Sequence, residues 1–264
     1  ANLAKTIRER IMNLPQTETT KVSLFSTCII DQLYPEVGTS VVKVLRQSGC
    51  EVDYPINQTC CGQPLYNSGF TKESKKIALK VLNEFEHSDY VVVPSGSCAA
   101  MMRNFYLDLF ANDQKNHPRS VSFAKKVYEF SEFLVRVLNI QDFESRYQGK
   151  GTYHPSCHLL REIGEREAPE MLLSNVDGLE LIDLPQAEYC CGFGGSFSIK
   201  YPHISEAMGT DKVENVISTG ADYLISCDMG CLMQVGGLLS RTGSEIQIRH
   251  LSQILNQEIH SGGS

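Results

Sequence analysis

Apolar side chains along this chain gather in short unbroken runs, separated by stretches in which they recur every three or four positions. The run KVSLFSTCII (21–30) is rich in β-forming residues and predicts a strand with Cys28 near its end. Through 35–49, Val37, Val41, Val44 and Leu45 follow helical spacing, and Gly49 supplies a C-cap. EVDYP (51–55) predicts a short second strand stopped by Pro55. Residues 73–86 predict a helix that turns Ile77, Leu79, Val81, Leu82 and Phe85 toward a core, with TKESKK (71–76) as its solvated start. YVVVP (90–94) predicts a buried third strand, and SVSFAKKVYEFSEFLVRV (121–138) predicts one further helix. Strands alternating with helices predict an α/β fold with mostly parallel sheets and right-handed crossovers. In such sheets the strand ends carry the site.

The pattern then repeats. Cys190 and Cys191 in AEYCCGFGGSF (187–197) lie 130 positions after Cys60 and Cys61 in NQTCCGQPLYNSGF (57–70). Pro55 and Pro185 precede the two pairs at equal distance, each closing an apolar stretch, EVDYP and LELIDLP (179–185). LFSTC ends at Cys28 and YHPSC at Cys157; SDYVVVPSGSC ends at Cys98 and ADYLISCDMGC at Cys231. One order of cysteines occurring twice at nearly constant spacing predicts a tandem duplication. The expected boundaries are an N-terminal extension at 1–20, a first unit at 21–148 and a second at 149–260, meeting near RYQGKG (146–151). The closing SGGS (261–264) is set aside as a linker or tag remnant. The first residues, ANLAKTIRERIMNL, are mildly amphipathic and suit either a docking helix or a frayed extension.

Composition narrows the chemistry. With 264 residues the chain is long enough to bury its core without covalent staples, so its ten cysteines are not the framework of a small secreted scaffold. Its net charge of −7 argues against nucleic acid or an anionic membrane as partner. No apolar run approaches the roughly 18 residues of a membrane span, and ANLAKTIRER lacks the apolar core of a secretory signal. These features predict a reducing cytoplasm, where clustered cysteines read as metal ligands or redox centres.

Each repeat offers four thiols for one site: Cys28, Cys60, Cys61 and Cys98, then Cys157, Cys190, Cys191 and Cys231. Adjacent cysteines are a poor match to disulfide geometry and cannot easily take neighbouring corners of one zinc tetrahedron. They reach two irons of a multi-iron cluster more comfortably, which favours iron–sulfur ligation, with zinc in one repeat as the alternative. Gly62 and Gly192 give the loops the backbone freedom for close approach.

These residues resemble the cysteine-rich CCG-domain family, whose mark is Cys-x31-Cys-Cys-Gly with a later cysteine. The domain occurs twice in the B subunit of heterodisulfide reductase, in the C subunit of anaerobic glycerol-3-phosphate dehydrogenase and in glycolate oxidase iron–sulfur subunits. YPEVG (34–38), TCCGQPLYNSGF (59–70), PSGSCAAM (94–101), YHPSCHLLRE (153–162), CCGFGGSFS (190–198) and DMGCLM (228–233) are most similar to the short, stand-alone lactate-utilisation A branch, over roughly 21–255. The resemblance implies a cytoplasmic iron–sulfur subunit, with one or two clusters of four-iron type. It also implies work with two other lactate-utilisation proteins, an iron–sulfur ferredoxin-like one and a third subunit, in oxidising L-lactate to pyruvate. The full family motif ends in Cys-x-x-Cys, and here Ser95 and Asp228 stand in place of its first cysteine. Four cysteines per repeat therefore suit an ordinary four-iron cluster or a site completed by another donor.

Two other functions stay open at this point: a thiol–disulfide catalyst of heterodisulfide reductase type, cycling Cys60–Cys61 or Cys227/Cys231, and a zinc-held structural adaptor. Cys50 reads as a core residue, and Cys227 as either core or ligand. His154 and His158 flank Cys157 and read as hydrogen-bonded loop residues, with contact to cluster or substrate as the alternative. Arg161, one helical turn on from Cys157, would either hold a carboxylate or sit in water. The chain has no P-loop, no Gly-x-Ser-x-Gly and no dinucleotide fingerprint.

Overall fold

A computed structural model describes residues 19–256; the amphipathic N-terminal stretch and the SGGS tail lie outside them. Two four-stranded sheets form the frame. In the first, β1 (Lys21–Leu24), β2 (Glu51–Asp53), β3 (Tyr90–Val93) and β4 (Val127–Glu129) lie in the order β2-β1-β3-β4. In the second, β5 (Arg146–His154), β6 (Asp177–Ile182), β7 (Tyr223–Ser226) and β8 (Gln247–His250) repeat that order as β6-β5-β7-β8. Every pairing is parallel. The α/β class and the duplicated, sheet-and-helix architecture follow the pattern of the sequence.

The helices needed below are α1 (Cys28–Leu33), α2 (Pro35–Gln47), α3 (Gln63–Asn67), α4 (Thr71–Glu84) and α5 (Gly96–Ala100) in the first repeat. Next come α6 (Tyr106–Phe110), α7 (His117–Ala124) and α8 (Phe130–Glu132). The second repeat carries α9 (Glu167–Ser174), α10 (Ser196–Lys200), α11 (Pro202–Ser218), α12 (Met229–Arg241) and α13 (Leu251–Leu255). Period-two alternation of the central strands decides what lies on each face. Val22, Leu24 and Val92 meet Ile225 in one core with residues of α2, α8, α9 and α13, so these helices are packed between the two sheets. Val91 and Val93 face outward to α4, α6 and α7, and Leu224 faces outward to α11 and α12. The repeats thus share an interior.

The predicted helix at 121–138 is corrected by the structure. It divides into α7, the fourth strand β4, α8 and a π-turn at Phe133–Val137. Val127 and Glu129 are buried because β3 offers an unpaired edge there, and edge pairing outweighs a helical apolar period. Cys28 opens α1 rather than ending β1, which stops at Leu24. In α4 the buried face is Ser74, Ala78, Val81 and Leu82, with Phe85 beyond its end; Ile77 and Leu79 are half-buried. Gly49 takes φ 82° just past α2, as a C-cap glycine does. The stretch 146–151 lies within β5. Among the described residues no helix is long and apolar enough to cross a membrane.

Candidate metal centres

The first site forms where the chain leaves β1, β2 and β3. Thr27 caps α1, its hydroxyl accepting from Ile30 N at 3.5 Å, and it does so at φ 66°, ψ 147°. A β-branched residue in that region is strained by roughly 1–3 kcal/mol, the kind of strain held at functional sites. The next residue is Cys28. The Cys60–Cys61 loop is tied to the end of β1 by Gln58, which accepts from Ser26 N at 2.9 Å and donates to Leu24 O at 3.3 Å. Cys28 Sγ then lies 3.8 Å from Cys60 Sγ. Cys60 lies beside Cys61, and Cys61 beside Cys98 on α5. The four thiols make one continuous string.

The second site is built the same way. Cys157 follows β5, Cys190 and Cys191 follow the β6 segment, and Cys231 is on α12. Contacts run from Cys157 to Cys190, from Cys190 to Cys191 and from Cys191 to Cys231. All eight cysteines singled out from the sequence are therefore brought into two quartets, and all are free thiols. Cys50 and Cys227 join neither quartet. Both lie in the shared core, where Cys227 Sγ stands 3.6 Å from Tyr153 Oη, and burial raises both thiols, Cys50 to about 11.

The glycine after each pair has a definite role. Gly62 and Gly192 take φ 87° and 83°, and a Cβ on Gly192 would stand 2.5 Å from Ser205 O. Each turns its N–H back to the first cysteine, Gly62 N to Cys60 Sγ and Gly192 N to Cys190 Sγ, both at 3.4 Å. Each carbonyl accepts from a serine hydroxyl, Ser74 at 3.1 Å and Ser205 at 2.8 Å. Donation from Cys28, Cys61 and the glycine amide holds the Cys60 thiol down to about 3. The same arrangement holds Cys190 down to about 2. Their donors Cys28, Cys61, Cys157 and Cys191 are all raised, first by the hydrogen bond to that sulfur. Each repeat so prepares one thiolate, the form that binds soft metals.

Two of the buried side chains that differ between the repeats stand beside the second quartet. The spacing that takes Cys28 to Cys157 takes Phe25 to His154, which closes β5. His154 is 2% exposed, with a ring nitrogen within 4.8 Å of both Cys191 Sγ and Cys231 Sγ. The ring lies beside the Ala187 backbone, but neither ring nitrogen makes a hydrogen bond of good geometry. Burial pushes the imidazole down to about 4, so it is neutral at pH 7. The spacing that takes Ser74 to Ser205 takes Val81 to Lys212. That ammonium is 1% exposed and donates to Gln186 O and Ala187 O at 2.8 and 3.1 Å, beside the thiols of the second site. Burial lowers its pKa. His154 was marked in the sequence by its place beside Cys157, whereas nothing in composition or motif spacing marks Lys212; aligning the repeats and noting where a polar residue replaces an apolar one finds both.

The repeats are clasped where the first cysteine of Cys-x-x-Cys is missing. Asp228 Oδ2 accepts from Ser95 Oγ and Ser97 N, both at 3.0 Å, and Oδ1 accepts from Gly230 N to cap α12. Ser95 caps α5, accepting from Cys98 N at 3.2 Å. The two equivalent positions thus meet each other across the repeat boundary. A second link joins the sites. Gln63 Nε2 donates to Ser97 O at 3.1 Å and lies 3.2 Å from His158 Nε2, while His158 Nδ1 is 3.5 Å from Cys157 Sγ. Since Gln63 can only donate there, His158 accepts at Nε2 and donates from Nδ1 to the sulfur. Arg161 is held against the second loop, donating to Glu188 O at 3.0 Å.

The family described as cysteine-rich domain, CCG, matches this chain twice, over residues 22–103 and 151–236. The chain belongs to the CCG cysteine-rich family. Each match holds one quartet, so the CCG repeat is the unit that gathers four thiols. The chain is 49% identical to lactate utilization protein A of Geobacillus sp. (strain WCH70) over 236 residues, 89% of this chain and 99% of that protein. It is 50% identical to lactate utilization protein A of Shouchella clausii (strain KSM-K16) over 237 residues, 90% of this chain and 99% of that one. Among solved structures, a hypothetical protein from Helicobacter pylori superposes with a TM-score of 0.58 at 12% identity. That superposition takes in 100% of this chain and 55% of the other, and it shows a shared fold alone.

Proposed function

We propose that this CCG protein is the iron–sulfur electron-transfer subunit of a multi-protein, cytoplasmic system that oxidises L-lactate to pyruvate. The observation that carries the reading is the pair of thiol quartets, each with a prepared thiolate and no disulfide. Such a donor set suits a cluster: soft sulfur ligands, one acidified, on loops whose amide N–H groups point at sulfur. Clusters of four-iron type, one or two per chain, supply one-electron transfer when bound there. Cys28, Cys60, Cys61 and Cys98 would hold one, and Cys157, Cys190, Cys191 and Cys231 the other. His158 donates to Cys157 Sγ, and hydrogen bonds to cluster sulfurs tune the potential.

The lactate assignment is supported by the name that the relatives carry. Oxidation of lactate to pyruvate releases two electrons and two protons, so a substrate-oxidising partner and an electron acceptor are both needed. Two further lactate-utilisation proteins, one ferredoxin-like, fill those places. Ile56, Phe70, Tyr189 and Ile199 are exposed near the cysteine pairs and offer apolar surface to such partners.

The test is anaerobic reconstitution followed by iron and sulfide analysis with EPR. One or two four-iron clusters per chain are expected, and less than one overturns the reading. A zinc-held adaptor is the second reading, favoured by one distance. Two sulfurs bonded to one tetrahedral zinc at about 2.3 Å stand about 3.8 Å apart, which is the Cys28–Cys60 separation. Retention of zinc by a colourless protein supports that alternative.

A further inference from the structure

We propose that His154 is a donor to the metal group of the second repeat, so that the two sites of the chain are chemically unequal. The inference rests on the reading of the thiol quartets as metal-binding.

The geometry is specific to one repeat. His154, Cys191 and Cys231 are all buried, and their donor atoms lie within 4.8 Å of one another. Both ring nitrogens lack a hydrogen-bond partner. A buried polar atom left in that state is costly, and natural proteins rarely tolerate two on one ring without a use. A metal bound to the imidazole removes that cost. The first repeat shows what the position holds when no donor is wanted: Phe25 packs its ring 5.7 Å from Phe85. The fold accommodates an apolar ring at this point, so packing does not require the histidine.

Lys212 points the same way. Where the first repeat has Val81 against its core, the second buries an ammonium beside three thiols. Thiolate-rich sites carry excess negative charge, and a fixed cation nearby offsets it. A neutral imidazole among the donors and a buried cation both favour the reduced state of a cluster. The second site is therefore the stronger electron acceptor of the two.

The experiment uses the full chain, produced with 15N-histidine and loaded anaerobically with iron and sulfide. Pulsed EPR of the reduced protein should show a directly coupled 15N. That coupling should vanish in His154→Phe, which copies the first repeat, and survive in His158→Gln. Should His154→Phe fail to fold, the wild-type spectrum and its persistence in His158→Gln decide the matter. Clusters present without nitrogen coupling overturn the His154 assignment and leave the iron–sulfur reading intact. If the chain retains zinc in place of iron, X-ray absorption replaces EPR. A mixed nitrogen–sulfur shell that becomes all sulfur in His154→Phe supports the proposal, and an all-sulfur shell in the wild type overturns it. A chain that binds neither metal overturns both readings.

Discussion

Removing the Asp228 carboxylate should separate the two repeats energetically. Its side chain is 5% exposed and accepts three hydrogen bonds. In Asp228→Ala the α12 cap is lost, at about 1 kcal/mol. The hydroxyl of Ser95 and the amide of Ser97 lose their acceptor, at about 1–3 kcal/mol each if they stay buried. The sum, about 3–7 kcal/mol, is a large part of the 5–15 kcal/mol that keeps an ordinary protein folded. Asp228→Asn keeps one acceptor and should cost about 1–3 kcal/mol. The measurement is equilibrium urea denaturation of the metal-free, reduced chain. It is followed by far-UV circular dichroism, because the chain has no tryptophan. A double-mutant cycle with Ser95→Ala should return a coupling of about 0.5–3 kcal/mol. Additive effects, or a loss under about 1 kcal/mol for Asp228→Ala, would show that the clasp does not join the repeats.

Other substitutions test separate parts of the structure. A Cβ at Gly96 would meet Leu159 Cβ at 2.6 Å and Leu159 N at 2.9 Å. Gly96→Ala should therefore lower the melting temperature through a cost of about 1–3 kcal/mol, whereas Gly237→Ala, with open space around it, should gain up to about 1 kcal/mol. Burial pushes His250 down to about 4, while an unfolded imidazole takes up its proton below about pH 6.5. The unfolded state thus binds more protons in that window, and stability of the metal-free chain falls as pH drops from 6.5 to about 4. His154 adds to the same slope. His250→Asn keeps an acceptor for Ser252 N and should flatten part of that slope in denaturation curves taken across pH. Cys190→Ser should halve bound iron on reconstitution, and Cys50→Ala should leave it unchanged. In a redox titration Lys212→Met should lower one of two potentials, because loss of a buried cation disfavours the reduced state.

Duplication, the α/β class and the eight gathered cysteines were legible in the chain because each depends on local order. Parallel strands place their following loops at one sheet edge, and cysteines at matched points of two repeats must then meet there. The need for glycine after each cysteine pair was legible as well, although its cause, a positive φ and a carbonyl crowding the Cβ site, is a fact of the fold. The fourth strand of each sheet was not legible. KVYEF lies inside a helical period, and only the free edge of β3 makes its middle extended. Two positions read as missing ligands, Ser95 and Asp228, turned out to be partners, because packing around a shared core brings equivalent points of the repeats face to face. The difference between the sites was written in the sequence as Phe25 against His154 and Val81 against Lys212. Its meaning depended on tertiary structure, since burial alone turns an imidazole without partners and an ammonium without solvent into groups that act on the thiols beside them.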